Sequence, residues 1–429
     1  MSAQNLASWL DYQQRIHPRA IELGLDRVRE VWRRMGAPAP APIVITVGGT
    51  NGKGSTVAFL EAMLAASGKR AGCYTSPHLL RYNERIRVAG TDADDAALID
   101  AFERIEAARK AESIESVPLT YFEFGTLAAL WIFAQSKLDV AVLEVGLGGR
   151  LDAVNIVDAD AAIVVTVDLD HQDWLGNDID CIGREKAGIF RRDRPAIVGM
   201  RSPPKGLLDE AASIDAQLLR AGKDFEVRPQ IDAWRWECAD VNLLLPEPEL
   251  AAPCQIDNAA AAIMALYALR ERLGWDAHAI ARGVREARIP ARLQRLHKRG
   301  APELVIDVGH NPQAARVLAQ WLGEHPAHGR NIAVFGALSD KDIAGIAAPL
   351  MPHIAQWHLG GLDADSPRGL SAVQLRERMP AATTLEYTGV DAALDSASAQ
   401  AAADDRLLAF GSFFVAAPAL EWARRTGYR

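Results

Sequence analysis

Cysteine is scarce in this chain: its 429 residues include four, Cys73, Cys181, Cys238 and Cys254. No two of them form a CxxC pair or follow a regular spacing. This scarcity excludes a disulfide framework, argues against a structural zinc site and predicts a reducing compartment. We expect all four to be small buried hydrophobic residues.

Long apolar runs and an excess of positive charge are also missing. The N-terminal stretch has no long apolar h-region, and no segment reaches the roughly 18 uninterrupted apolar residues of a membrane helix. The formal net charge is −8 with both signs interspersed, which argues against nucleic acid as the main partner. These features predict a cytoplasmic protein of about two or three domains that acts on small molecules, without nucleic-acid or membrane partners.

What the chain does contain is a phosphate-binding loop at 43–56, IVITVGGTNGKGST. A β-branched run breaks into glycines before an amphipathic helix, so backbone N–H groups and the helix dipole favour the phosphates of a nucleotide. Lys53 supplies a mobile positive charge, and Ser55 or Thr56 supplies a hydroxyl group. The spacing departs from the P-loop pattern, because Gly54 separates Lys53 from Ser55. The alternative is an ordinary glycine-rich turn between a strand and a helix.

Strand and helix patterns alternate around this loop. Continuous apolar strands indicate a mostly parallel sheet that is covered on both faces. The predicted strands of the first part are 43–47, 140–145, 162–167 and 196–199, and the predicted helices are 57–67, 122–134, 182–190 and an alanine-rich helix at 258–273.

A basic, proline-containing stretch at 288–293 interrupts this pattern, and a second alternation follows it. Its predicted strands are 304–308, 332–337, 356–360 and 407–411. We therefore predict an α/β protein with a P-loop-type ATPase domain at 1–288, built on a mostly parallel central sheet. A linker at 289–295 and a smaller Rossmann-like α/β domain at 296–429 complete it. Ligands of such sheets bind beyond the carboxyl ends of the strands.

Two loops at predicted strand ends carry candidate metal ligands. Glu144 precedes a glycine-rich loop, and His171 follows the next strand among several carboxylates. A carboxylate suits magnesium, whereas a histidine is unusual because magnesium prefers oxygen. The alternatives are a surface or helix-capping carboxylate and a histidine that is simply hydrogen-bonded.

Two further motifs stand out. Lys186 lies early on a predicted helix beside Glu185, where the alternative is a surface ion pair of little energetic consequence. In the second part, DVGHNP at 307–312 places a carboxylate, an imidazole and a helix-starting proline after a strand. We expect this second motif to contact a nucleotide that reaches across from the first domain.

Together these motifs resemble those of a known family. The similarity to folylpolyglutamate synthases rests on GTNGKGST at 49–56, TSPH at 75–78, LEVGLGGRLDAVN at 143–155, LDHQDWLG at 169–176, GREKAGIF at 183–190, DVGHNP at 307–312 and FGSF at 410–413. With IELGL at 21–25 and TYFEF at 120–124, the chain most resembles the bacterial bifunctional dihydrofolate synthase/folylpolyglutamate synthases of the Mur ligase superfamily. The resemblance covers nearly the whole chain.

The resemblance implies three groups of site residues. The implied ATP site consists of Thr50, Asn51, Gly52, Lys53, Gly54, Ser55, Asn258, Arg292 and Asp307. The implied magnesium ligands are Ser76, Glu144, His171 and Lys186, the last as a carbamate whose anionic oxygens suit the metal. The residues implied to bind dihydropteroate or folate are Glu22, Leu23, Gly24, Thr120, Tyr121, Phe122, Glu123, Leu151, Asp152 and Ala153. Phe122 offers an aromatic face to the flat pterin ring.

The resemblance also implies a reaction. L-glutamate would be joined to dihydropteroate, or to the γ-carboxylate of reduced folates that already carry glutamate, through an acyl phosphate formed with ATP and Mg²⁺. Lys53 and Lys186 would act in catalysis, and His310 would orient the intermediate or the incoming amino acid. Leu293 departs from the family pattern, in which an aromatic residue is usual, and this leaves the linker packing open. No coiled-coil seam is evident, so we expect a monomer.

Three alternatives to the bifunctional enzyme remain. One is a monofunctional folylpolyglutamate synthase. Another is a different Mur-type amino-acid ligase, although the phosphate loop begins near residue 48 and leaves no room for the extra N-terminal domain expected there. The third is a nucleotide-binding switch without ligase activity, which would need neither Lys186 nor a pterin pocket.

Overall fold

The computed structural model of the protein describes residues 5–19, 21–110, 116–170 and 172–429. The chain divides into two compact units. The first comprises Met1–Glu249 and Ile256–Arg288, and the second comprises Leu250–Gln255 and Ile289–Arg429. The functional domain boundaries expected from the sequence, 1–288, 289–295 and 296–429, stay a prediction.

The main sheet of the first unit is mostly parallel. Its strands are β1 (Ile43–Gly48), β2 (Ala71–Tyr74), β3 (Ile86–Val88), β4 (Thr91–Asp92), β5 (Val140–Glu144), β6 (Ala161–Val164), β7 (Pro195–Val198) and β8 (Gln217–Arg220). They lie in the order β4-β3-β2-β5-β1-β6-β7-β8, with β3 and β4 antiparallel at one edge. The residues of β1, β2, β5 and β6 are all buried, as strands covered on both faces require.

Helices pack on this sheet, and α3 and α5 contact its central strands directly. The helices of this part of the chain are α1 (Leu6–Arg15), α2 (Asp26–Arg34), α3 (Lys53–Ala66), α4 (Asp95–Arg109), α5 (Tyr121–Gln135), α6 (Gln172–Leu175), α7 (Ile179–Ala187), α8 (Lys205–Ser213), α9 (Gln255–Ala268), α10 (Arg270–Leu273) and α11 (Ala277–Glu286). None of the helices within the described ranges has the length and hydropathy to cross a membrane.

A small antiparallel sheet in the first unit was not predicted. It is formed by β9 (Glu226–Gln230), β10 (Ala233–Cys238) and β11 (Val241–Pro246). Along β10 every second side chain is buried, among them Trp234 and Trp236, and the charged Arg235 and Glu237 alternate with them. The expected alternation of strands and helices does not hold here, because these three strands follow one another directly and the sheet has one covered face, which gives an alternating pattern of apolar and polar residues.

The second unit has its own mostly parallel sheet. Its strands are β12 (Gln294–Leu296), β13 (Glu303–Ile306), β14 (Asn331–Phe335), β15 (Gln356–Gly360), β16 (Thr384–Tyr387) and β17 (Arg406–Phe410). They lie in the order β12-β13-β17-β14-β15-β16, and the edge strand β12 is antiparallel to β13. Its helices are α12 (Pro312–Glu324), α13 (Ile343–Ala347), α14 (Ala372–Arg378), α15 (Val390–Gln400) and α16 (Phe413–Thr426). The predicted α/β class with mostly parallel central sheets is confirmed.

Two local expectations are wrong. The predicted helix at 258–273 is interrupted at Leu269, where φ −97° and ψ 8° separate α9 from α10. The cysteines are free thiols as expected, but they are not all buried. Cys73 and Cys238 are buried, whereas Cys181 is exposed and Cys254 is only partly covered.

A buried histidine in the second unit links stability to pH. His358 on β15 has no exposed surface, and its ring stacks on that of Tyr387 with 5.5 Å between the centroids. Neither ring nitrogen has a hydrogen-bond partner among the described residues. Burial lowers the pKa of His358 below its ordinary value, because the imidazolium form cannot be solvated there.

We therefore expect the protein to lose stability as the pH falls below about 6.5, the pKa of a histidine in an unfolded chain. Below this pH His358 is protonated in the unfolded chain but stays neutral in the folded chain. This one group therefore lowers the free energy of unfolding by up to about 1.4 kcal/mol per pH unit. His358→Phe, which keeps a ring for stacking, removes this part of the pH dependence, whereas the exposed His328→Gln leaves it. Urea unfolding midpoints measured at pH 7.5 and 5.5 test this. If the midpoint of His358→Phe fell between these two pH values by as much as that of the wild type, the prediction would be contradicted.

Candidate active site

The phosphate loop lies between β1 and α3, and contacts with the segment after β6 hold its shape. The N–H of Thr50 donates to the backbone oxygen of Thr166 at 2.8 Å, and the N–H of Asn51 donates to the Thr166 hydroxyl at 2.9 Å. These two amides are thus used within the protein rather than turned toward a ligand. The first turn of α3 remains the source of N–H groups for an anion, because the first amides of a helix lack intrahelical acceptors.

Two glycines are required by the backbone of this loop. Gly49 has φ +142°, and a Cβ atom there would lie 3.0 Å from the backbone nitrogen of Thr166. Gly52 has φ +85°, and a Cβ atom there would lie 2.5 Å from the side-chain oxygen of Asn258. The predicted ATP residue Asn258 is therefore in place against the loop, although more than 200 residues separate them in sequence. It is 2% exposed.

The remaining residues of the loop differ in their side-chain contacts and burial. The Lys53 ammonium donates to the backbone oxygens of Gly49 at 3.0 Å and Thr50 at 3.1 Å, so its charge lies over its own loop. The Thr56 hydroxyl donates to the Gly52 carbonyl, as a helix-interior threonine commonly does. Gly54 and Ser55 are buried in the first turn of α3.

A small, partly open cleft lies beside this loop. It is lined by Gly49, Thr50, Lys53, Val145, Gly146, Leu147, Gly148, Asp170, Leu175 and Lys186. The lining comes from the carboxyl ends of β1, β5 and β6 and from α6 and α7, which is where ligands of parallel sheets bind. Asp170 was not assigned a role from sequence. Its position just after a predicted strand, among the carboxylates near His171, was the available signal.

Lys186 is the unusual cation of this cleft. It lies in the last turn of α7 and is 4% exposed, so both its expected place early on a helix and the alternative of a solvated surface ion pair are wrong. Its neighbour Glu185 instead binds Arg150, at 3.0 Å. Burial, and secondarily the charge of Lys53, lowers the pKa of Lys186 to about 7. Near neutral pH, Lys186 is therefore the neutral, nucleophilic amine in a large fraction of the protein molecules.

Two of the predicted metal ligands lie next to each other. β2 pairs with β5, and the Glu144 carboxylate at the end of β5 accepts the N–H of Ser76 at 3.1 Å. Glu144 is 5% exposed. His171 lies outside the described residues, and among the residues that the structure describes there is no cluster of three or more histidine, cysteine or acidic side chains that suits a metal. Besides the His171 imidazole, the predicted set relies on a hydroxyl, a carboxylate and a carbamate, and oxygens of this kind fit a hard cation.

The segments predicted to bind the pterin are joined by hydrogen bonds across the sequence. The Gly24 N–H donates to the Leu151 carbonyl at 3.3 Å. Thr120 and Glu123 form a capping box at the start of α5, in which each side chain accepts the other's backbone N–H. Arg27, which sequence reasoning missed, binds the carboxylates of both Glu22 and Glu123. The three segments thus belong to one region of the first unit.

Aromatic rings and a buried acid complete this region. A Cβ atom at Gly146 would lie 2.6 Å from the ring of Phe122, so this glycine allows the ring to approach the backbone. The Tyr121 ring lies 5.5 Å from the Arg85 guanidinium. The Asp152 carboxylate accepts the N–H groups of Gly146 and Leu147, and burial raises its pKa to about 6. Ala153 is buried, and Leu23 is partly exposed.

The second unit holds the remaining predicted residues at the carboxyl ends of β13 and β17. The Asp307 carboxylate accepts the N–H of Leu293 at 2.7 Å and that of Gly309 at 2.6 Å, and burial raises its pKa. The Arg292 guanidinium lies 5.3 Å above the ring of Phe413. The His310 ring lies 6.4 Å from that same ring. Leu293, the departure from the family pattern, is 3% exposed and adopts φ +51°.

Known proteins are similar to this chain in sequence and in fold. The family "Mur ligase, glutamate ligase domain" matches residues 291–413. The dihydrofolate synthase/folylpolyglutamate synthase of Escherichia coli K12 is 45% identical, over 99% of this chain and 98% of its own length. The structure of E. coli FolC in complex with DHPP and ADP superposes with a TM-score of 0.91 at 44% identity, covering 99% of both chains.

A bifunctional folylpolyglutamate synthase/dihydrofolate synthase with Mn, AMPPNP and L-glutamate bound has a TM-score of 0.89 at 42% identity, again covering 99% of both chains. Identity of this degree over almost the whole length extends well beyond the phosphate loop and includes both units. The chain therefore belongs to the dihydrofolate synthase/folylpolyglutamate synthase family of Mur-type ligases.

Proposed function

We propose that this chain uses ATP to ligate L-glutamate to dihydropteroate and to the γ-carboxylate of folyl-glutamates. The observation that carries the proposal is the cleft in which Lys53 and Lys186 lie beside a phosphate loop, at the edge of the sheet where Glu144 ends β5. The names of the relatives support the substrates. DHPP and ADP in one similar structure, and an ATP analogue with L-glutamate in another, support a pteroate-type acceptor, ATP and L-glutamate as the ligands.

The reaction has two steps. A carboxylate oxygen of the acceptor attacks the γ-phosphorus of ATP, the bond to the bridging oxygen breaks, and ADP leaves while an acyl phosphate remains. The amine of glutamate then attacks the acyl carbon, phosphate departs with the bonding electrons, and the amine loses a proton. Lys53 would exchange its contacts with Gly49 and Thr50 for phosphate oxygens and so stabilise their charge.

We assign the ATP contacts to Thr50–Ser55 with Asn258, Arg292 and Asp307, and the acceptor contacts to Glu22–Gly24, Thr120–Glu123 and Leu151–Ala153. His310 would orient the intermediate or the incoming amino acid. We further propose a monomer in the cytoplasm, where ATP is supplied, with no nucleic-acid partner.

Magnesium is the metal that these residues suit. Glu144, Ser76 and a carbamate on Lys186 would hold it through oxygen atoms, together with His171, and the bound ion would neutralise charge on the phosphates. Unmodified, Lys186 would repel a cation. Its lowered pKa favours the modification, because the neutral amine attacks carbon dioxide, forms the nitrogen–carbon bond and releases one proton.

Acceptor-dependent ATP turnover tests the reaction. With Mg²⁺ and L-glutamate present, we expect phosphate release with dihydropteroate and with tetrahydrofolate, and product masses that increase by one glutamyl residue. Omission of glutamate is the control for water attack on the acyl phosphate. Turnover with tetrahydrofolate alone would indicate a monofunctional polyglutamate synthase, and turnover with neither acceptor would contradict the proposal.

The carbamate gives a second, spectroscopic prediction. Protein equilibrated with ¹³C-bicarbonate should show a carbamate carbon resonance that is lost in Lys186→Ala, and turnover should fall about 100-fold or more because a charge-neutralising group is removed. Lys205→Ala, at an exposed lysine, is the matched control. At fixed dissolved carbon dioxide, the resonance should grow as pH rises through about 7, since the amine form then increases. Absence of the resonance from the wild-type protein would refute the modification, and full activity of Lys186→Ala would refute its role in turnover.

A further inference from the structure

We infer that Arg27 is a positioning residue for the acceptor: its guanidinium fixes the N-terminal segment, residues 21–25, against the first turn of α5. This inference rests on the proposed function, because it takes Glu22–Gly24 and Thr120–Glu123 as two walls of the acceptor pocket. Nothing in the sequence motifs pointed to Arg27, which lies in the first turn of α2. Its contacts carry the argument.

The guanidinium of Arg27 bonds to both walls at once. One terminal nitrogen donates to the Glu22 carboxylate at 2.8 Å. The other donates to the Glu22 backbone oxygen at 2.9 Å and to the Glu123 carboxylate at 2.9 Å. A planar fork with several donors can satisfy three acceptors that lie in different directions, whereas a lysine ammonium is a point charge on a flexible stem.

Burial makes the contact with Glu123 consequential. The Glu123 side chain is 3% exposed, and its second oxygen accepts the N–H of Thr120 at 2.8 Å. Burying a charged carboxylate this far from water lowers the stability of the fold unless the carboxylate is paired with a cation and hydrogen-bonded. Arg27 supplies that pairing, so its loss would disturb the capping box that places Tyr121 and Phe122 on the first turn of α5.

The same contacts separate two roles among the predicted pocket residues. The carboxylates of Glu22 and Glu123 both bind the Arg27 guanidinium, and the His17 ring also lies 3.4 Å from the Glu22 carboxylate. They therefore act as supports. The surfaces left to recognise a flat heteroaromatic acceptor are the Phe122 ring and the backbone of Leu23 and Gly24, which the Gly24–Leu151 hydrogen bond holds from the other side.

The structure also indicates that Arg27 can be changed without loss of the fold. α2 is anchored by Val28, Val31 and Trp32, which are 0%, 0% and 6% exposed. The Arg27 side chain itself is 20% exposed. Arg33 provides a matched control, because it lies on the same helix, is 70% exposed and pairs with Glu30.

The test compares Arg27→Met and Arg27→Lys with Arg33→Met in steady-state kinetics. For Arg27→Met we expect KM for dihydropteroate to rise about tenfold or more, the effect of losing hydrogen bonds to charged groups. KM for ATP should stay at the wild-type value. Arg27→Lys keeps the charge and should melt close to the wild type, yet it should still show a raised KM for dihydropteroate because one ammonium cannot bridge both walls.

A double variant distinguishes positioning from general stability. In Arg27→Met/Glu123→Gln the buried charge is removed together with its partner, so the melting temperature should recover while KM for dihydropteroate stays high. A KM for dihydropteroate equal to that of Arg33→Met in all Arg27 variants would overturn the inference. The inference would also be overturned if KM for ATP rose in Arg27→Met together with KM for dihydropteroate, and if that rise disappeared in the double variant when its melting temperature recovered. Lack of turnover by the wild-type chain with dihydropteroate would instead contradict the proposed function itself.

Discussion

The parallel pairing of β1 with β5 on one side and β6 on the other is the constraint on which the site depends. Its register sets Val47 opposite Glu144 and Gly48 opposite Val164, so the loops that follow these strands emerge at one edge. The phosphate loop, the glycine-rich loop at 146–149 and the segment before α6 therefore line one cleft. The ends of these strands are buried, so the loops that follow them are crowded. Glycine is needed where the backbone of one loop approaches another residue closely, because a Cβ atom would not fit there.

Electrostatics within this edge follows from burial. Lys53 and Lys186 line one cleft, and burial together with the charge of Lys53 lowers the pKa of Lys186. The carboxylate next to it in sequence, Glu185, does not reverse this shift. Glu185 is used instead to hold Arg150 and the adjoining loop. Asp152 is also buried, and the backbone N–H groups of Gly146 and Leu147 that it accepts partly offset the cost of its charge.

Much of the architecture follows from local patterns. Runs such as 43–47 and 140–145 are strands because apolar, mainly β-branched residues suit a sheet covered on both faces, with Glu144 as the one charge at a strand end, and these strands were predicted. The β9–β11 sheet was not, since its alternating pattern carries charges on the open face. The break between α9 and α10 was also missed, because the residue at the break is a leucine, neither glycine nor proline. The break is visible only in the backbone conformation of Leu269.

The sequence by itself determined the α/β class, the phosphate loop and the family resemblance, because these reside in contiguous residues whose periodicity and spacing are local properties. Tertiary structure alone decided that Asn258 lies against Gly52, that Lys186 is buried at a helix end, and that Arg27 joins Glu22 to Glu123. Burial and pairing of this kind arise between segments about a hundred to two hundred residues apart in the chain, so no local pattern encodes them. The pKa of a lysine, or the partner of a glutamate, depends on which of those distant groups the fold brings near.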